Sequence, residues 1–184
     1  MSIATDPTTE QLIAELYKIP GKAEIVDGRI LMMSPTGDMP SSAGLAIAVS
    51  LRQYAKRFGG RAYMDNAAFL VQLPNRKSFS PDASYYTGPR ARMKFLPQAP
   101  LFAAEVRSEG DYGPAAERQM AAKRADYFAA GTKVVWDVDL LSDDIVRVYR
   151  VDSPEQSRVY RRGDSAEAEP AVPGWTFPVD ELFD

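Results

Sequence analysis

The chain has 184 residues, 45% of them hydrophobic and 26% charged, with a formal net charge of −3. It contains no Cys and no His, which excludes thiol nucleophiles, disulfides, Ser-His-Asp triads and zinc centres built on those ligands. Catalysis would therefore rest on Asp, Glu, Lys, Arg, Tyr, Ser or Thr, and a metal would be a hard, oxygen-seeking one such as Mg²⁺ or Mn²⁺.

At roughly 150 residues per domain, the length predicts one domain spanning 1–184. The acidic balance argues against a uniformly basic surface and leaves room for a local basic cleft. Met1–Gln11 lacks the basic and apolar regions of a signal peptide, and no window approaches 18 apolar residues. The expectation is a cytoplasmic protein with no membrane partner.

Leu12, Ile13, Leu16 and Tyr17 predict a short helix over 12–19, ended by Pro20-Gly21. Ala23–Val26 and Arg29–Met33 flank Asp27-Gly28, a dipeptide suited to a type I′ hairpin turn. Ser34-Pro35-Thr36-Gly37 breaks the chain. A helix is expected over 41–58, with Ile47, Leu51, Tyr54 and Phe58 at steps of 4, 3 and 4 and Gly59-Gly60 as its stop. Strands are expected at 61–65, 68–73 and Ala83–Tyr86.

Residues 87–100 read as a Pro-rich basic loop carrying Arg90, Arg92 and Lys94. Leu101–Arg107 reads as an apolar strand. Pro114, Glu117 and Gly131 frame a helix over 114–130. Val134–Val138 and Ile145–Arg150 read as strands, joined through Ser142-Asp143-Asp144. Residues 152–171 are polar, with a short strand at 158–161. The tail Val172–Phe183, with Trp175 and Leu182, is expected to pack across the core. The pattern predicts an α/β or α+β fold with a mixed sheet.

Glu105 stands inside the apolar strand Leu-Phe-Ala-Ala-Glu-Val. A carboxylate buried there costs several kcal/mol unless a cation accompanies it. Alternation puts Leu101, Ala103, Glu105 and Arg107 on one face, so an internal Glu105–Arg107 ion pair is one explanation. A metal is the other. Pro81-Asp82 opens a strand 23 residues earlier. If the two strands are neighbours, ~4.8 Å apart, Asp82 and Glu105 can converge on one Mg²⁺ or Mn²⁺ ion.

Ser80-Pro81-Asp82 followed by Glu105-Val106-Arg107 resembles the signature of the PD-(D/E)XK nuclease superfamily. Further segments are similar to a bacterial family of putative restriction endonucleases, formerly a domain of unknown function. They are Glu24–Gly28, Met33–Gly37, Lys123–Tyr127 with Gly131, Val135–Asp139 and Val172–Trp175. The resemblance runs from about residue 20 to the C-terminus. It implies a restriction-endonuclease-like fold, a mixed central sheet flanked by helices. It implies Asp82 and Glu105 as metal ligands and Glu24 as an accessory acid. The superfamily's Lys two residues past the Glu is Arg107 here, and the family's Lys on the following helix is matched by Lys123. The family's His after Ser-Pro-Thr-Gly has no counterpart. Cleavage of both strands would take two sites, so the resemblance also implies a homodimer.

Lys123 lies on a stripe with Ala116, Met120 and Tyr127, where a cation is out of place unless it reaches an anion; snorkelling to solvent is the plain alternative, and Arg124 is a competitor. Glu24, beside a hairpin turn, reads from composition as solvent-facing. Arg90, Arg92 and Lys94 read as a solvated loop or as DNA-backbone contacts. Tyr85, Tyr86 and Trp136 read as packing. Arg52, Lys56, Arg57 and Arg61 complement the end of their helix. The leading expectation is a Mg²⁺-dependent endonuclease acting on DNA. A non-catalytic nucleic-acid-binding or interaction module of the same fold is the second. A structural protein in which Glu105 pairs with Arg107 is the third.

Overall fold

The computed structural model describes residues 7–184. Helix α1 (Thr9–Leu16) starts earlier than its apolar residues indicate, because Thr8 caps it. The Thr8 hydroxyl accepts from the Gln11 N–H, and the Gln11 side chain accepts from the Thr8 N–H, so a reciprocal capping box sets the first turn. Strands β1 (Ala23–Val26) and β2 (Arg29–Met32) form the expected hairpin. Asp27 and Gly28 both have positive φ, 49° and 69°, as a type I′ turn requires. Helix α2 (Asp38–Phe58) also begins before its apolar face, directly after Gly37.

The main sheet has six strands in the order β10-β9-β8-β7-β6-β3. They are β3 (Arg61–Met64), β6 (Ala83–Tyr86), β7 (Phe102–Val106), β8 (Val134–Val138), β9 (Val146–Arg150) and β10 (Ser153–Tyr160). Only β7 and β8 are parallel. Their crossover carries α3 (Pro114–Ala129), which has Pro at its first turn. The expected strand at 68–73 is only β4 (Phe69–Leu70), paired with the unanticipated β5 (Ser78–Phe79). Pro74 and Asn75 lie between these two strands. Strand β10 is longer than the expected 158–161. It is a sheet edge, mostly exposed, so its polar residues carry no alternating pattern.

One face of the sheet packs on α2 and the tail. Ile47 and Leu51 share one buried cluster there with Phe102, Trp136, Val148 and Leu182. Strands β11 (Ser165–Glu167) and β12 (Thr176–Pro178) pair, and a 3₁₀ turn follows over Val179–Phe183. Trp175 stacks on Trp136 with centroids 5.2 Å apart, so the tail does pack across the core. Tyr85, Tyr86 and Trp136 are all buried. The other face carries Phe69, Phe79, Tyr86, Ala103 and Val135 against Tyr127 of α3. Among the described residues no helix is long and apolar enough to cross a membrane.

Candidate functional site

Strands β6 and β7 are hydrogen-bonded neighbours with Ala83 opposite Ala104. One step further, the same register sets Asp82 opposite Glu105. The Asp82 N–H donates to the Ala104 carbonyl at 3.1 Å. The Val106 N–H donates to Asp82 Oδ2 at 2.7 Å. The backbone thus fixes one oxygen of this carboxylate and leaves Oδ1 to side chains.

Helix α3 crosses above the end of β7. Ala116, Met120 and Lys123 are partly buried and Tyr127 is fully buried, so the expected stripe is the inner face of this helix. Lys123 Nζ lies 2.9 Å from Glu105 Oε2 and 3.0 Å from Glu24 Oε1. One turn on, the Tyr127 hydroxyl donates to Glu105 Oε1 at 2.6 Å. Arg124 goes elsewhere, over the Tyr149 ring at 3.7 Å.

Glu24 is 1% exposed, contrary to the solvent-facing expectation. Its strand is closed on both sides. The Ile25 N–H donates to the Ser78 hydroxyl and the Lys77 N–H donates to the Ile25 carbonyl. Burial is compensated by three donors: the Ser80 N–H at 2.8 Å, Arg76 at 2.5 Å and Lys123 at 3.0 Å. Arg76 also reaches Asp126 at 2.8 Å.

Arg107 corrects a second expectation. It makes no ion pair with Glu105 among the described residues. Its guanidinium grips both oxygens of Asp137 at 2.8 Å and also binds Glu117. Asp137 is in parallel register with Glu105 on β8, and both oxygens of Glu105 are already engaged by Lys123 and Tyr127. The Glu105–Arg107 structural reading therefore fails.

Burial pushes the Glu105 carboxyl up; Lys123 opposes this, and the Asp82 charge adds to it. Glu24 feels the same burial, but Lys123, Arg76 and the Ser80 N–H together hold its carboxyl below the ordinary value. Burial works against the Lys123 ammonium, and the charges of Glu105 and Glu24 outweigh it, raising the Lys123 pKa. Burial and the same two carboxylates raise the Tyr127 phenol far above its usual value. Lys123 and Tyr127 are thus held protonated, as hydrogen-bond donors.

Lys22 was not legible as a site residue. It precedes β1 in a loop with no pattern of its own, yet its amine lies 2.5 Å from Asp82 Oδ1 and 2.7 Å from Asp65 Oδ1. Arg76 gave no signal either. Tyr127 did, through its place on the stripe. Five carboxylates (Glu24, Asp65, Asp82, Glu105, Asp126) surround three cations (Lys22, Arg76, Lys123). The cluster thus has two more acidic than basic side chains. No group of three acids converges as a ligand set among the described residues. The two carboxylates set opposite one another by the β6–β7 register are Asp82 and Glu105. Such a set fits a hard divalent ion that completes its shell with water.

A cleft of about 130 Å³ opens onto Asp82, lined by Thr36, Ser41, Gly44, Met64 and Asp65. A second cleft, of about 360 Å³, is lined by Tyr63, Asn66, Arg90, Arg92, Lys94 and Phe95. The basic loop is therefore one wall of a concavity, whose other wall, Tyr63 and Asn66–Ala68, flanks Met64 and Asp65 of the Asp82 cleft in sequence.

The sequence profile of the Uma2 family, described as putative restriction endonucleases, matches residues 13–180. The chain belongs to this family. The fold agrees. A crystal structure of a putative nuclease belonging to DUF820 from Anabaena variabilis superposes with a TM-score of 0.71 at 17% identity, covering 94% of this chain and 97% of the other. No curated protein matches the chain. The Uma2 membership supports a nuclease-like function acting on nucleic acid.

Proposed function

We propose that this Uma2 chain is a divalent-metal-dependent endonuclease that hydrolyses DNA phosphodiester bonds, with Asp82 and Glu105 holding Mg²⁺ or Mn²⁺. The observation that carries the reading is Lys123. Its ammonium is part-buried on an apolar helix face, bonded to Glu105, with Asp82 across the strand pair. A structural ion pair needs one carboxylate. This arrangement holds a cation between two carboxylates and leaves a third beside them.

Each residue has a distinct task. An ion held by Asp82 and Glu105 would supply Lewis acidity and lower the pKa of a water. Tyr127 donates to one Glu105 oxygen and fixes the carboxylate's orientation. The Val106 N–H does the same for Asp82. Lys123 stays protonated, so it acts as a fixed positive charge that orients water or stabilises the phosphoryl oxygens as charge develops there. Glu24 holds Lys123 in place, and Arg76 in turn holds Glu24. Arg107 ties β7 to Asp137 and to the first turn of α3, which supports the helix that delivers Lys123. The 130 Å³ cleft gives the phosphate its approach to Asp82, and the basic cleft receives the flanking strand. Cutting both strands of a duplex would employ two copies of the chain.

Plasmid nicking with Mn²⁺ and an EDTA control tests this. Cleavage is expected with the metal and none with EDTA, Asp82→Ala or Glu105→Ala. Calorimetric Mn²⁺ titration should show both variants losing the ion while remaining folded. DNA binding that survives EDTA, with no cleavage under either metal, would instead favour a non-catalytic module of the same fold.

A further inference from the structure

We propose that Lys22 is a built-in competitor for the divalent ion, and that Asp65 is the carboxylate that receives its amine when the ion binds. The inference rests on the metal reading above and adds a control to that site. Asp82 offers two oxygens. Oδ2 is committed to the Val106 N–H, so Oδ1 is the one available to a cation. The Lys22 amine is on that oxygen, at 2.5 Å. A Mg²⁺ ion binds carboxylate oxygen at about 2.0–2.1 Å. An ammonium already hydrogen-bonded to the same atom would be pressed against a doubly charged neighbour, and like charges at that separation repel strongly.

The two lysines of the cluster differ in their freedom to leave. Lys123 is held by two buried or part-buried carboxylates, Glu24 and Glu105, and both belong to the interior. Lys22 shares itself between Asp82 and Asp65, and Asp65 is 38% exposed at the rim of the Asp82 cleft. Asp65 Oδ1 also accepts from the Asn66 N–H at 2.9 Å, which holds the carboxylate in place. A lysine stem is flexible. The amine can give up Asp82 and keep Asp65 without losing all of its charge partners. Lys22 thereby neutralises Asp82 when no metal is bound, and its release sets the metal affinity.

The test is Mn²⁺ titration followed by the electron paramagnetic resonance signal of free Mn²⁺, which needs no turnover. Lys22→Met should bind Mn²⁺ about five- to a thousandfold more tightly than the natural chain, the range spanned by removing one unit charge ~4 Å away between bulk water and a protein surface. Lys22→Gln, which keeps a hydrogen-bond donor for Asp82 without the charge, should behave alike and guards against a folding defect in the first variant. Asp65→Asn should weaken Mn²⁺ binding several-fold, and that effect should vanish in the Lys22→Met background. Equal or weaker affinity in both Lys22 variants, with the natural chain binding Mn²⁺, overturns the Lys22 role and leaves the metal reading standing. An Asp65→Asn effect that persists without Lys22 overturns the hand-over. If neither the natural chain nor either Lys22 variant binds Mn²⁺, the metal site itself is wrong.

Discussion

Glu24→Gln separates the support of the site from its chemistry. Glu24 is 1% exposed and accepts from Ser80, Arg76 and Lys123. Glutamine fills the same volume but removes the charge and turns an NH₂ group toward one of the donors. Breaking a buried ion pair by removing one partner costs about 3–5 kcal/mol. Here each cation keeps a second carboxylate, Glu105 for Lys123 and Asp126 for Arg76, so the lower end applies, about 3 kcal/mol. For a chain of this size that lowers Tm by about 6–12 °C.

The pH dependence has a definite sign. The folded carboxyl of Glu24 is held below its ordinary value, so the unfolded state takes up the proton first as pH falls. The stabilisation is therefore complete above the unfolded pKa, about 4.3, and drains away as pH drops through the folded pKa. Urea midpoints of the natural chain and Glu24→Gln should differ by the full amount at about pH 7 and begin to converge only as the pH falls below the unfolded pKa. Equal midpoints at neutral pH, or a gap that stays constant into acid, would refute the ion-pair account of this residue.

Lys123→Ala should lower turnover by about 10²–10³-fold, the scale of one lost charge-stabilising donor, and change DNA affinity much less; equal losses in both would show that it binds substrate rather than assisting the reaction. Arg107→Ala leaves Asp137 buried without its partner and should cost about 3–5 kcal/mol of stability, while the folded fraction binds Mn²⁺ as before. Altered Mn²⁺ affinity in that variant would return Arg107 to the metal site. Replacing Arg90, Arg92 and Lys94 by Ala should reduce the slope of log affinity against log salt by about 1 for each cation that meets a phosphate; an unchanged slope removes that cleft from the DNA interface. Tyr127→Phe should weaken Mn²⁺ binding, because Glu105 Oε1 loses its only side-chain donor among the described residues, and calorimetry reads this directly.

Local physics was legible in the sequence. Asp27-Gly28 dictates a tight turn whatever surrounds it, Pro114 opens a helix, and short apolar runs mark the strands expected at Leu101–Arg107 and Val134–Val138, which are buried almost throughout. The odd carboxylate in an apolar strand and the odd lysine on an apolar helix stripe also stand out, since burying a charge is costly enough that each must have a partner. Partner choice was another matter. Glu105 and Arg107 share a strand, yet Arg107 takes Asp137 because β8 lies parallel to β7 in a register that sets Asp137 beside Glu105. Glu24 is buried because β1 is also covered by β5, a two-residue strand with no periodicity to reveal it. Lys22 and Arg76 come from loops and find their partners, Asp82 and Glu24, 60 and 52 residues away, only when the chain closes. Propensity and periodicity act over a few neighbouring residues, so they fixed the elements. Electrostatic pairing depends on distances between chain segments, and tertiary packing alone set those.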